Sequence, residues 1–166
     1  EACEILTMLF SQDHTTFRGE YYVLDEAPME PKPLQSPLPL LVGGGGEKRT
    51  LRTVARFATE WNSWGRPEEL RHKISVLERH CEEVGRDPAE IQKSAVGVLM
   101  FTETEEKAAK LQENLGHRSG LVGTPAQLRQ VVAEYAAVGV DELLVPDFAF
   151  SARKRNDYLD RFRAEV

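Results

Sequence analysis

The sequence predicts an α/β protein built on a parallel sheet. Its strand candidates are short, continuously apolar runs, the pattern of strands covered on both faces. They alternate with amphipathic helices, the order that generates parallel pairing. A third observation bears on function. The stretch "LLVGGGGEKRT" at 40–50 places four of the chain's 12 glycines between one such strand and the next helix. The residues alone leave two architectures open: an open doubly wound sheet, or part of a (β/α)8 barrel.

Ile5, Leu6, Leu9 and Phe10 make a helical face at the start, with no Ser, Thr, Asp or Asn cap before it. A helix that begins in mid-pattern predicts a chain that begins in mid-protein; a trimmed terminus is the alternative. "TTFRGEYYVL", with aromatic and β-branched residues around Gly19, predicts a hairpin. Residues 28–39 hold five of the nine prolines and read as a stiff connector. Together 11–39 form a hairpin and Pro-rich connector within a single partial domain, 1–166.

Leu40, Leu41 and Val42 predict a buried strand. Leu51, Val54, Ala55 and Ala58 recur at helical spacing, predicting a helix over 47–58. "TEWNSWG" predicts a very short strand ending in a loop. Pro67 opens the clearest helix, whose stripe is Leu70, Ile74, Leu77, Cys81 and Val84, and Gly85 closes it. Asp87-Pro88-Ala89-Glu90 caps a short turn. "SAVGVLMF" at 94–101 predicts one strand, and 104–115 a helix capped by Thr102 or Thr104. Thr124-Pro125-Ala126-Gln127 is a capping box; its helix carries Leu128, Val131, Val132 and Tyr135 and ends at Gly139. A strand over 142–145 ends at Pro146, and a final helix carries Tyr158, Leu159 and Phe162.

Composition excludes several function classes. With 29% charged and 41% hydrophobic residues the chain is ordinary globular protein. A net charge of -6, mixed in sign, argues against a general nucleic-acid binder. No apolar run approaches the roughly 20 residues of a membrane span, and no secretory segment opens the chain. The expected location is therefore cytoplasmic. Cys3 and Cys81 fit no metal or redox spacing, so no metal site is expected.

A strand, then glycines, then a helix start is a geometry that binds phosphate. The first helix amides lack internal partners and carry partial positive charge, and glycine lets backbone N–H groups approach an anion. Lys48 and Arg49 add charge; Glu47 repels an anion unless it turns outward, and otherwise stabilises the helix dipole. "GGGGEKRT" is neither a G-x-x-x-x-G-K-[ST] loop nor a good G-x-G-x-x-G match. A flexible turn stays open as the alternative.

Trp61 and Trp64 read as core or as the wall of a ring-binding pocket, and Asn62 as a polar contact or a turn residue. His72 and His80 read as solvated on the polar side of their helix, and His14 and His117 lie in loops with no partner at ligand spacing. His117-Arg118-Ser119 reads as solvated surface or as a contact to an anionic ligand tail.

Three longer stretches go further: "PKPLQSPLPLLVGGGGEKRTLRTVARFATEWN", "GRPEELRHKISVLERHCEEVGRDPAEI" and "LVGTPAQLRQVVAEYAAVGVDELLV". They resemble the luciferase-like monooxygenase family, most of all the branch using the deazaflavin coenzyme F-420, whose relatives use FMN. In that family a proline-rich connector leads to a strand ending in Gly-Gly, then a helix, then an Ala-Asp-x-Trp-Asn-like strand. Here the last motif is Ala58-Thr59-Glu60-Trp61-Asn62, with the usual acid position shifted or replaced.

The family fold is a (β/α)8 TIM barrel, which needs about 250 residues, and the matching segments belong to its second half. The resemblance therefore implies the C-terminal half of a barrel, a fragment with roughly the last four of eight strands. It implies Gly43, Gly44, Gly45 and Gly46 as the cradle of the cofactor's phosphate. Asn62 to Trp64, Thr102 and Asp147-Phe148 would share the same active face. The cofactor would be F-420, or alternatively FMN. The activity would be oxidoreductase, with hydride transfer to or from a small-molecule organic substrate. No catalytic residue is assigned, because the family's proton-handling and ring contacts lie largely in its first half. The full-length protein would be a homodimer, and the isolated chain inactive. Two rivals remain: a non-catalytic half-barrel binding a phosphorylated ligand, and an open α/β nucleotide-binding domain.

Overall fold

A computed structural model describes residues 1–118, 120–146 and 152–166. Helix α1 (Ala2–Ser11) leads into an antiparallel hairpin, β1 (His14–Arg18) and β2 (Val23–Pro28). After the proline-rich connector come β3 (Leu41–Gly43), α2 (Thr50–Phe57), β4 (Glu60–Trp64), α3 (Pro67–Val84) and β5 (Gln92–Val96). The chain continues through β6 (Leu99–Phe101), α4 (Glu105–Leu115), β7 (Leu121–Gly123), α5 (Pro125–Ala137), β8 (Glu142–Leu144) and α6 (Ala152–Glu165).

Strands β3, β4, β5 and β8 form one sheet in that order, every pair parallel. Sequential neighbours joined by helices are what a barrel wall requires. Between β5 and β8 the chain inserts β6 and β7, which pair with each other as a separate parallel ribbon.

Strands β3, β4 and β8 are not covered on both faces, whereas β7 is buried throughout, as expected. Along β4, burial alternates: Trp61 and Ser63 are buried, whereas Glu60, Asn62 and Trp64 are half-exposed. Trp61 and Ala95 join Leu51, Val54, Leu70, Ile74, Leu77 and Cys81 in the core under α2 and α3. The opposite face carries Leu41 and Gly43, Asn62, Ser94, Glu142 and Leu144, by parallel register and alternation. Leu41 there is 48% exposed and Leu144 37%. Three-residue apolar runs such as Leu41–Gly43 are too short to display alternation, which is why the sequence reads as two-sided burial.

Helix α3 matches its expected stripe except for Val84, which is exposed. Gly85 takes the left-handed conformation at φ 69° and its amide closes onto Cys81 and Glu82. Thr104, not Thr102, caps α4 by accepting the Lys107 amide. The capping box of α5 forms with Thr124 and Gln127.

Two expectations change. The apolar run 94–101 is two strands, because at Gly97 the ladder changes partners. The Gly97 amide donates to Leu144 and the Val98 amide to Arg118. A Cβ at Gly97 would press on Leu121 at 3.2 Å. Helix α2 starts at Thr50, three residues later than expected, so Glu47 sits in a turn and not on a helix dipole.

Candidate functional site

A cleft of about 800 Å³ opens over the C-terminal ends of β3 and β4 and the first turns of α3. Strand ends contribute Gly43, Gly44, Gly45, Asn62, Ser63 and Trp64; α3 contributes Glu69, His72 and Lys73. Gly46 lies just outside this lining and its carbonyl accepts the Leu51 amide.

The glycines are used, not slack. Gly44 sits at φ +122°, a backbone conformation that side chains disfavour. A Cβ at Gly45 would lie 3.0 Å from the end of Lys73 and 3.1 Å from Ser63 Oγ. Two successive peptide planes are held by their carbonyls. Trp61 Nε1 donates to the Gly44 carbonyl at 2.8 Å, and Lys73 Nζ to the Gly45 carbonyl at 2.8 Å. In a trans peptide the N–H points opposite the C=O. Trp61 and Lys73 therefore aim the Gly45 and Gly46 amides away from themselves. Those two amides donate to no acceptor among the described residues.

Helix α3 clamps the turn that follows. His72 Nε2 lies 3.1 Å from the Glu47 carboxylate, and His80 Nε2 lies 2.8 Å from the Glu47 carbonyl. The Glu47 carboxylate is thus drawn onto His72. His80 is not solvated as its helix position suggests: its side chain is only 16% exposed, between Glu47 and Glu83. Periodicity places both histidines on the polar side of α3, where His72 stays exposed; it is silent on the turn that covers His80.

Trp61 resolves as core, with its indole N–H serving the loop. Trp64 lines the cleft, and the Arg118 guanidinium lies 5.7 Å from its ring centroid. Tyr135, absent from the sequence-based candidates, is buried and donates to the Gly65 carbonyl at 2.9 Å, fixing the loop between β4 and α3. Burial, then the nearby Glu68 and Glu69 carboxylates, raise its pKa, so its hydroxyl stays protonated.

The structure does not bring Thr102 to this cleft. It follows β6, and its buried hydroxyl has no partner among the described residues. A second cavity of about 570 Å³ lies there, walled by Phe101, Lys107, Lys110, Tyr158 and Arg161 among others. The His117 side chain, Ser119, Asp147 and Phe148 lie outside the described residues. Among the described residues there is no cluster of three or more potential metal ligands, and no helix long and apolar enough to cross a membrane.

The sequence model of the luciferase-like monooxygenases matches residues 1–113, more than half of the chain. The chain belongs to the luciferase-like monooxygenase family. An FMNH2-dependent dimethylsulfone monooxygenase of Pseudomonas fluorescens is 26% identical over 179 aligned positions, covering 82% of this chain and 48% of that protein. An uncharacterised protein of Mycobacterium tuberculosis is 38% identical over 92, covering 55% of this chain and 31% of its own length.

Among solved structures, an F-420-dependent secondary alcohol dehydrogenase bound to an F-420–acetone adduct superposes with TM-score 0.77 at 19% identity. It covers 99% of this chain and 59% of its own. A monooxygenase from Streptomyces bottropensis gives 0.75 at 15%, covering 98% and 58%. This luciferase-like chain spans about half the length, or less, of these curated relatives. Almost the whole chain matches, and it matches only part of a TIM-barrel neighbour, so the open doubly wound sheet is set aside.

Proposed function

We propose that this luciferase-like chain is the phosphate-holding part of a flavin- or deazaflavin-dependent oxidoreductase. The cofactor is F-420 or FMN, and the whole protein transfers hydride to or from a small organic substrate. The observation that carries the reading is the pair of unpartnered amides at Gly45 and Gly46, oriented by Trp61 and Lys73 at the C-terminal end of parallel strands. Barrel active sites occupy that end.

The residues fit an anion. Oriented backbone N–H groups bind phosphate without side-chain reorganisation, and the space beside Gly43, where an added Cβ would meet nothing within 4 Å, is open. The Glu47 carboxylate, which would oppose an anion, is engaged by His72. Lys73 leaves positive charge beside the loop even while its ammonium holds the Gly45 carbonyl. When bound, the flavin or deazaflavin ring supplies the redox chemistry, and this chain positions it.

A fluorescence titration of the whole protein with F-420 and with FMN tests the reading. We expect saturable binding of one of them, competed by inorganic phosphate at high concentration. Binding of neither at high micromolar concentration contradicts it and leaves the non-catalytic rival.

A further inference from the structure

Helix α3 holds the turn after the glycine loop through two histidines, one on each polar end of Glu47. His72 Nε2 meets the Glu47 carboxylate, and His80 Nε2 meets the Glu47 carbonyl. The other ring nitrogen of His80, Nδ1, lies 3.2 Å from the Glu83 carboxylate. Both nitrogens of His80 therefore face groups that only accept, a carbonyl and an ionised carboxylate. Turning the ring over would set carbons against both oxygens and forfeit both bonds. A neutral imidazole has one N–H and serves one acceptor; the doubly protonated ring serves both.

A recess of about 250 Å³ beside His80 is bordered by Glu47 and Lys48 from the turn and by Arg79 and Glu83 from α3. The two cations oppose a second proton on the ring, but both are exposed and water weakens their effect. The two acceptors touch the ring directly. His72 borders the cleft beside Glu69 and Lys73, one charge of each sign.

The geometry points to a proton-operated clamp: charged His72 and His80 lock the Glu47 turn onto α3, and their discharge loosens it. Neutral His72 has no ion pair to offer the Glu47 carboxylate. Neutral His80 keeps one of its two bonds, and that bond loses the strengthening that charge supplies. Glu47 directly follows Gly46, so the clamp anchors the far end of the glycine loop. The near end is held separately, by Trp61 on the Gly44 carbonyl. A ligand of the loop meets it ordered when the rings are charged, and must order it when they are not. Histidine discharges between about pH 5 and 8, so the clamp loosens as pH rises through that window. It acts on the bare loop and is independent of whether the loop holds phosphate.

The test is amide hydrogen exchange of the ligand-free whole protein, followed by NMR at about pH 5.5 and about pH 8.5 and corrected for intrinsic exchange. The reporter is the Leu51 amide, whose bond to the Gly46 carbonyl closes the turn. The control is the Leu128 amide, bonded to the Thr124 carbonyl at the start of α5. Leu51 should lose roughly fivefold of its protection at the higher pH, the gap between a charge-assisted and a neutral hydrogen bond, while Leu128 keeps its own. In the double variant His72→Gln, His80→Gln the Leu51 protection should no longer depend on pH. No change at Leu51 in the wild type, an equal change at Leu128, or a change that survives the double variant overturns the clamp. The wild-type protein alone also decides, should the double variant fail to fold. At the lower pH His80 should show two slowly exchanging ring N–H signals, one for each acceptor, and the absence of either overturns the clamp.

Discussion

The two faces of the β3-β4-β5-β8 sheet use the same strands for different purposes. On the helix-covered face, Trp61 and Ala95 are buried with Leu51, Leu70 and Leu77 in one contiguous core. On the other face, Asn62 and Ser94 hydrogen-bond to each other, Gln92 reaches Glu142, and Leu41 and Leu144 stay exposed. On the proposed reading, stability and recognition are separated between these faces. The covered face gains from removing apolar area from water. The other face spends its positions on polar groups and on a glycine. Trp61 links the two: its ring is core and its N–H orients the cleft loop.

The comparison breaks most visibly at Leu77, which is fully buried on the covered side. Leu77→Ala should cost about 2–5 kcal/mol of stability, read from denaturant unfolding, with cofactor affinity of the folded fraction unchanged. A matching loss of affinity would show that the faces are coupled.

Tyr135→Phe should cost about 1–3 kcal/mol, because the Gly65 carbonyl loses its buried donor. The pH dependence has a definite sign. Tyr135 has a raised pKa in the folded state, so its contribution is complete below the unfolded value of about 10. As pH climbs above that value the unfolded chain loses the phenolic proton first, and stability falls. In Tyr135→Phe that alkaline decline should be shallower in urea titrations between pH 9 and 11.

Trp61→Phe keeps most of the ring and removes the donor to the Gly44 carbonyl. We expect a stability loss of about 1 kcal/mol and a larger proportional loss of FMN or F-420 affinity, roughly tenfold. Affinity unchanged alongside lost stability would assign Trp61 to the covered face alone. At the small end, Thr124→Ala removes the α5 cap, far from the cleft in sequence. It should cost about 1 kcal/mol in thermal unfolding and nothing in binding.

Much of this organisation is legible in the residues. The α3 stripe from Leu70 to Cys81 with Gly85 after it, the Thr124 capping box, and the position of the glycines after a strand are local signals, and they appear as read. What escapes is non-local. The break at Gly97 is set by Leu121 and by a change of ladder partner, neither of which is near in sequence. His80 looks solvated until the Glu47 turn folds over it, 33 residues away. The orientation of Asn62 depends on Ser94, 32 residues on. In the cleft, residue types mark the place, while the donor and acceptor directions come from long-range packing.

The central claim is that the glycine loop binds the cofactor's phosphate through its own amides. Gly45→Val tests it most directly, since the added Cβ meets only flexible groups, Lys73 and the Ser63 hydroxyl, and the fold should persist. With circular dichroism confirming the fold, FMN or F-420 affinity should fall roughly a hundredfold, the worth of two amide bonds to a charged group. Affinity equal to wild type in that folded variant would contradict the account and reduce the four glycines to a turn.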